Sequence, residues 1–309
     1  MLVQEPPAKV TERIHQLGEK QSCIYLIQGM NPDSGEPSYC LLGGGMVTTG
    51  PEVERQVLEL GLSPERITRY VIQHSHFDHC GAVPYLKKQW PWLELVASQR
   101  SGELLQKDKV VEAVQSMNEV LLQRQGKEDL SREPGFCFEG LHVDRPLAEG
   151  DRVECGDLAL EVMEAPGHSS CSIVLYEPWQ QALFTSDSAG IPMGDDVFTA
   201  ANSDFDRYQE SLRRMAEYPV QAVLPEHFGA RIGDDARGFL DASVASADRT
   251  RSLLEQTYRN NPDVDACSKE VADRLMQKMP DDFLPGEIIS IVVGQMVKYI
   301  ARQHQDSEK

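Results

Sequence analysis

The segment "QHSHFDHC", residues 73–80, places three of the chain's eight histidines and one aspartate within six positions. It follows residues 67–73, "ITRYVIQ", whose β-branched and aromatic residues are typical of a strand. His74 and His76 are two positions apart, so an extended backbone would point both rings to the same side. Imidazole and carboxylate groups are ligands for zinc, iron, nickel or manganese. The segment therefore indicates a metal site, with a polar surface loop as the alternative.

Three more ligand-type residues follow strand-like runs later in the chain. His168 lies in "EAPGHSS", Asp187 in "LFTSDSAG" and His227 in "AVLPEHFGA". Small residues beside each one allow the backbone to turn sharply. Because one short segment cannot close a metal site, we expect these residues to complete it.

The order HxHxDH, then PGH, then an aspartate after an apolar strand, then a late histidine resembles the metallo-β-lactamase superfamily. It is most similar to the glyoxalase II-like hydrolases, over roughly residues 20–230. The resemblance implies an α/β fold, the αββα sandwich, with the site at one edge of the two sheets. The ligands that it implies are His74, His76 and His168 for one metal, Asp78, His79 and His227 for a second, and Asp187 as the bridge.

A narrower likeness involves the helical parts of the chain. The helical pattern after "VASQR", residues 96–100, and the segment "DFLPGE", residues 282–287, resemble the quinolone-signal response family of pseudomonads. Members of that family are similar to aminobenzoylacetyl-CoA thioesterases. The tail "IISIVVGQ" departs from that family, and Ile191 stands where it has an acidic pocket residue. The likeness implies thioester cleavage and leaves the acyl group open.

One turn departs from the superfamily pattern. Members usually carry an acid in a "LIDTG"-type turn, whereas this chain reads "LLGGG" at residues 41–45, with Gly43 at the acid's place. That acid does not bind the metal itself but orients the residues that do, and loss of such a group lowers metal affinity or activity roughly 10- to 100-fold. We expect the metals still to bind, because all seven ligands are present.

The implied ligands predict a dinuclear metallo-hydrolase with two divalent metal ions, zinc, iron or manganese, as cofactors. A water bridging the ions would lose a proton near neutral pH, and the hydroxide would attack a carbonyl. Asp78 is the predicted catalytic residue, which orients the hydroxide and passes its proton to the leaving group. Thioesters, as acyl-CoA or acyl-glutathione, are favoured because a thiolate leaves with little protonation. The candidate substrate-binding residues, for which ordinary packing is the alternative, are Phe77, Phe228 and Phe283.

Two other functions stay open on the same pattern. One is a lactonase or phosphodiesterase that uses the same centre, and the other is a regulatory protein that acts through partner contacts. The formal net charge of −19, from 49 acidic and 30 basic residues, disfavours nucleic acid and anionic membranes as partners. We therefore expect a small-molecule ester or thioester substrate, no nucleic acid and no membrane. The oligomeric state is not readable from the sequence.

The patterns along the chain predict two domains. Residues 1–235 would form the metallo-β-lactamase-fold domain with a helical insert at about 100–125, and residues 236–309 a C-terminal helical subdomain that covers the site. The last helix, about 287–303, is apolar almost all round and is predicted to be buried. The seven cysteines form no CxxC pair and favour free thiols in a reducing compartment. The N-terminal "MLVQEPPAKV" lacks the pattern of a signal peptide, so we expect a cytoplasmic protein.

Overall fold

The computed structural model describes residues 1–3, 5–194, 196–279 and 284–307. The chain forms two compact units. The first unit consists of residues 1–164, 171–186 and 220–236, and the second of residues 165–170, 187–219 and 237–309.

The strands in the described ranges are β1 (Leu2–Val3), β2 (Ala8–Lys9), β3 (Ile14–Glu19), β4 (Ser22–Met30), β5 (Pro37–Leu42), β6 (Ile67–Ile72), β7 (Glu94–Ser98), β8 (Arg145–Leu147), β9 (Arg152–Cys155), β10 (Leu158–Glu164), β11 (Ile173–Glu177), β12 (Ala182–Phe184), β13 (Ile191–Met193), β14 (Asp196–Phe198), β15 (Ala222–Leu224) and β16 (Ala230–Ile232). The α-helices in the same ranges are α1 (Thr49–Glu59), α2 (Val83–Gln89), α3 (Gln99–Leu104), α4 (Asp108–Arg124), α5 (Phe205–Ala216), α6 (Asp234–Asn260), α7 (Val264–Met276) and α8 (Gly286–Ser307). Short 3₁₀ helices occur at Pro64–Arg66, Phe77–His79, Glu128–Arg132 and Ser186–Ala189.

The first unit contains two seven-stranded sheets. One has the order β1-β16-β15-β12-β11-β10-β9, and the other has the order β2-β3-β4-β5-β6-β7-β8. Parallel pairing joins β5 to β6, β6 to β7, β7 to β8 and β12 to β15, and the other neighbours in these sheets are antiparallel. Apolar side chains from both sheets form one core cluster between them. This is the pair of packed sheets that the family resemblance implies.

Strand β4 shows why its sequence is apolar throughout. Tyr25 and Ile27 enter the core between the sheets, whereas Ile24 and Leu26 enter a second core on the opposite face. Alternation along a strand sends successive side chains to opposite faces, so a strand that is buried on both faces needs a continuous apolar run.

Helices of the first unit cover the outer face of the second sheet. Val53 and Val57 of α1, Leu86 of α2 and Val114 of α4 belong to the core cluster on that face. Helix α1 ends at a glycine: Gly61 has φ +67°, and the Leu62 amide donates to the Val57 carbonyl at 3.1 Å. Helices α3 and α4 occupy the predicted helical insert.

The second unit holds the two-stranded ribbon of β13 and β14, helices α5, α7 and α8, and α6 from residue 237 onward. Asp204 caps α5, because its side chain accepts a hydrogen bond from the Arg207 amide at 3.0 Å. The prediction that the last helix is buried is correct for one face only. In α8, Val293 and Met296 are buried, but Ile291 is 56% exposed, so the helix buries one face only. In the described ranges, no helix combines the length and the apolarity needed to cross a membrane.

The seven cysteines are all free thiols, in agreement with the sequence interpretation. Cys137 is half-buried, whereas the other six are buried. Burial raises the pKa of Cys23 to about 12 and also raises the pKa of Cys80. Alkylation requires both access and a thiolate, so these buried thiols should react slowly in the folded protein.

We therefore expect native alkylation to label one thiol rapidly, Cys137, and unfolding to expose all seven. Mass spectrometry of iodoacetamide-treated protein measures the number of labelled thiols over time. The Cys137→Ser variant should lose the fast phase. A second fast thiol in that variant would contradict the burial of the other six.

Candidate metal centre

The turn that follows β6 is anchored at its first residue. The Gln73 side-chain amide donates to the carbonyls of Phe184 at 2.8 Å and Ile173 at 3.3 Å. These carbonyls belong to β12 and β11 of the facing sheet. The turn that carries His74, His76, Asp78 and His79 thus starts from a residue tied to both sheets.

The glycine turn "LLGGG", residues 41–45, contacts the backbone of the segment that carries His79. The Gly81 amide donates to the Gly45 carbonyl at 2.9 Å. A Cβ atom at Gly44 would lie 1.6 Å from the carbonyl oxygen of His79, so only glycine fits there. The triple glycine therefore lets the two backbones touch.

Asp78, His79 and His227 bring their ligand atoms together in the first unit. The His79 and His227 Nε2 atoms are 3.1 Å apart, and the Asp78 Oδ2 atom lies 3.5 Å from the first and 3.7 Å from the second. His227 Nδ1 lies 2.6 Å from the Gln21 carbonyl oxygen, and His79 Nδ1 lies 2.8 Å from the carboxylate of Glu226. A carbonyl and a carboxylate both accept a proton from Nδ1, and in a neutral imidazole this leaves a lone pair on Nε2.

This arrangement fits a cation. Two imidazole lone pairs and a carboxylate oxygen converge on one point, and all three groups are electron donors. His79 and His227 are almost fully buried, which makes such crowding of acceptors costly without a positive charge. The residues present therefore suit a divalent metal with nitrogen and oxygen ligands.

His74 and His76 form a second pair in the same unit. The His74 Nε2 atom lies 3.1 Å from the His76 Nδ1 atom, so the rings share one side of the extended segment, as their spacing predicts. The His74 Nδ1 atom lies 3.2 Å from the Ser186 Oγ atom. Ser186 has φ +46°, a conformation that non-glycine residues adopt rarely, and it directs this hydroxyl to the histidine.

The second unit holds His168 and Asp187 as neighbours. His168 Nδ1 donates to the Ala200 carbonyl at 2.8 Å, and its Nε2 lies 3.5 Å from Asp187 Oδ2. Both residues are buried. Gly167 makes this turn possible, because a Cβ atom there would lie 2.3 Å from the Tyr208 backbone. The pair again presents an imidazole lone pair beside a carboxylate.

The candidate substrate-binding residues have different surroundings. Phe77 is half-buried and packs against the core on the helix side of the second sheet. Phe228 is 7% exposed, has φ +57°, and its ring centroid lies 6.3 Å from that of His227. Phe283 lies outside the described residues. Substrate binding by these residues stays a prediction.

Glu226 is a site residue that the motif pattern did not predict: it is 1% exposed and contacts His79. The available signal was its position in "LPEH", at the end of an apolar strand and directly before His227. An acid at such a place is buried only when it has polar partners.

Comparison with known proteins identifies the fold and the family. The sequence model of the Metallo-beta-lactamase superfamily matches residues 46–227. A β-lactamase domain protein from Burkholderia ambifaria superposes with a TM-score of 0.66 at 16% identity, covering 100% of this chain and 90% of that one. The predicted metallo-β-lactamase fold with its C-terminal helices is therefore confirmed.

Two curated relatives carry activity names. The acyl-coenzyme A thioesterase MBLAC2 of Gallus gallus is 32% identical over 162 residues, which are 51% of this chain and 55% of that protein. A hydroxyacylglutathione hydrolase of Legionella pneumophila (strain Paris) is 25% identical over 118 residues, 38% of this chain and 32% of that protein. The chain thus spans about half the length, or less, of these relatives. The family match covers more than half of the chain, and the chain belongs to the metallo-β-lactamase superfamily.

Proposed function

We propose that the chain is a metal-dependent hydrolase that cleaves thioesters, with acyl-CoA or acyl-glutathione as the substrate class. The observation that carries this proposal is that the Nε2 atoms of His79 and His227 and the Asp78 carboxylate converge on one point, where a cation would satisfy all three. The acyl-CoA thioesterase name of the chicken relative supports the thioester class. The seven free thiols support a reducing, cytoplasmic setting.

The proposed cofactors are two divalent ions, zinc, iron or manganese. Their proposed ligands are His74, His76 and His168 for one ion, Asp78, His79 and His227 for the other, and Asp187 between them. This assignment is supported by the order of the motifs and by the family. Within each unit, the donor atoms are imidazole nitrogens and carboxylate oxygens, which suit these metals.

The bound ions would supply Lewis acidity and lower the pKa of water towards neutrality. Asp78 differs from its neighbours in access: its side chain is 23% exposed, against 1% for His79 and 5% for His227. It is therefore the residue of this group that can reach a substrate and transfer a proton. A thiol such as that of CoA or glutathione has a pKa of about 8.5, so its thiolate leaves with little help from an acid. Asp78 as the single partly exposed carboxylate of this group is therefore sufficient for the proton transfer that thioester cleavage needs.

The test is thiol release from a panel of acyl-CoA thioesters and S-lactoylglutathione, with the metal content of each protein measured in parallel. We expect the wild type to turn over at least one substrate and a chelator to abolish that activity until metal is restored. His76→Ala should lose metal and activity together. His142→Ala is the matched control, because His142 is exposed and lies outside the ligand set, and it should behave like the wild type.

Other results lead to other functions. Protein that holds two metals per chain and releases no thiol would contradict the thioesterase proposal, and lactones and phosphodiesters would then be assayed. A biological phenotype that survives substitution of both His74 and Asp187 would favour the regulatory alternative over hydrolysis.

A further inference from the structure

Glu226 is a buried acid held by nitrogen donors. Its carboxylate Oε2 atom lies 2.8 Å from His79 Nδ1 and accepts a hydrogen bond from the Gly44 amide at 3.2 Å. Its own carbonyl accepts from the Cys23 amide at 2.7 Å, which ties its backbone to β4. The position of this carboxylate is therefore fixed by neighbours in the first unit.

The carboxylate of Glu226 fills the space next to Gly43. A Cβ atom at Gly43 would lie 2.9 Å from Oε2 and 3.0 Å from the Cδ atom of Glu226. Gly43 also has φ +97°, which disfavours other residues. A side chain at position 43 and the Glu226 carboxylate therefore compete for the same volume.

We propose that Glu226 is the positioning residue of the metal centre: it holds His79 as the Nδ1–H tautomer with Nε2 aimed at the metal. The Glu226 carboxylate thereby occupies the space that an acidic side chain at position 43 would fill. A carboxylate that accepts from the second nitrogen of a metal-bound histidine fixes the ring and its tautomer. The inference rests on the proposed function, because His79 must be a ligand for its orientation to matter.

A direct role as a ligand is the competing assignment for Glu226. The Glu226, His74 and His79 ligand atoms lie within 4.8 Å of one another. That assignment would turn the Nδ1 atom of His79 towards the metal, although this nitrogen faces the Glu226 carboxylate at 2.8 Å and Nε2 faces His227 at 3.1 Å. The geometry favours the outer position for Glu226.

The experiment measures zinc stoichiometry and affinity by competition with a chromophoric chelator. It uses the wild type, Glu226→Ala, Glu226→Gln, Gly43→Asp and the double variant Glu226→Ala/Gly43→Asp. We expect Glu226→Ala to weaken zinc binding roughly 10- to 100-fold while two ions still bind at saturation. Gly43→Asp alone should bind zinc more weakly than the wild type, because the new side chain collides with Glu226. The double variant should bind zinc more tightly than Glu226→Ala, because the aspartate can then occupy the vacated space.

Glu177→Ala is the matched control for removal of a buried acid. Glu177 is also 1% exposed and accepts from the amides of Trp179 and Gln180, away from the ligands. It should lower the melting temperature and leave zinc affinity unchanged. The absorption spectrum of the cobalt-substituted protein should change in Glu226→Ala and not in Glu177→Ala.

Three results would overturn the inference. The first is that Glu226→Ala binds zinc as tightly as the wild type, and the second is that Glu226→Ala and Glu177→Ala lose equal zinc affinity. The third is that Glu226→Gln binds one ion fewer at saturation, which would mark Glu226 as a direct ligand. A wild-type protein that binds no zinc, iron or manganese would remove the proposed function together with this inference. Normal metal binding in all variants would remove the inference alone.

Discussion

Replacement of His79 by alanine is expected to lower thioester turnover by roughly three orders of magnitude, which corresponds to about 4 kcal/mol of activation free energy. The variant loses the proposed ligand atom, Nε2, which lies 3.1 Å from His227 Nε2 and 3.5 Å from Asp78 Oδ2. Loss of the metal proposed to bind there would remove charge stabilisation worth several kcal/mol in the transition state. Steady-state assays on metal-analysed protein measure the effect.

The same substitution should also destabilise the fold. Glu226 would lose the imidazole donor at 2.8 Å while its carboxylate stays buried. An unsatisfied buried acceptor costs about 1–3 kcal/mol, and a charged one costs more. Urea unfolding should therefore be measured together with turnover, and His142→Ala is again the control. A His79→Ala protein with full metal content and near-normal turnover would show that His79 is not a ligand.

Gly44→Ala is expected to have the largest effect on stability, a loss of about 3 kcal/mol in the free energy of unfolding. The new methyl group would lie 1.6 Å from the His79 carbonyl oxygen and 2.9 Å from the Cys80 Cα atom. These neighbours are backbone atoms, so relief requires the ligand-bearing turn to move. A displacement near 1 Å can lower turnover roughly 100-fold. Urea titration and turnover on the same preparation check both effects.

Gly238→Ala is the matched control for this change. Gly238 lies inside α6, and an added Cβ atom there meets no heavy atom within 4 Å. Alanine in a helix interior is more stable than glycine by roughly 0.5–1 kcal/mol, so this variant should gain stability and keep its turnover. Equal stability of Gly44→Ala and Gly238→Ala would contradict the close contact between the glycine turn and His79.

The local patterns of the sequence predicted the elements that carry the ligand candidates. Strand β6 ends at Ile72, two residues before His74, and the His74 and His76 rings meet as their spacing requires. Gly61 ends α1 and Asp204 begins α5, as the glycine and aspartate at these positions favour. These features depend on neighbours within a few positions, which is the range over which side-chain periodicity and capping act.

The features that were missed depend on distant contacts or on very short elements. Glu226 and His79 are 147 positions apart, and nothing near either residue identifies the other as its partner. Strands β13 and β14 have three residues each, too few to show an alternating pattern. The exposure of Ile291 depends on which neighbours cover α8, so apolar composition alone overestimated its burial.

The anchoring of Gln73 to β11 and β12 has a consequence for the thermodynamics of metal uptake. A zinc finger folds only with its ion, so that binding and folding are one equilibrium. Here the chain orders the turn through Gln73, and it orders the imidazoles of His79 and His227 through Glu226 and Gln21. Little conformational entropy is left for the ion to remove. We therefore expect the chain to fold without metal and the proposed divalent ions to exchange without passage through the unfolded state, although a bound ion still stabilises the fold.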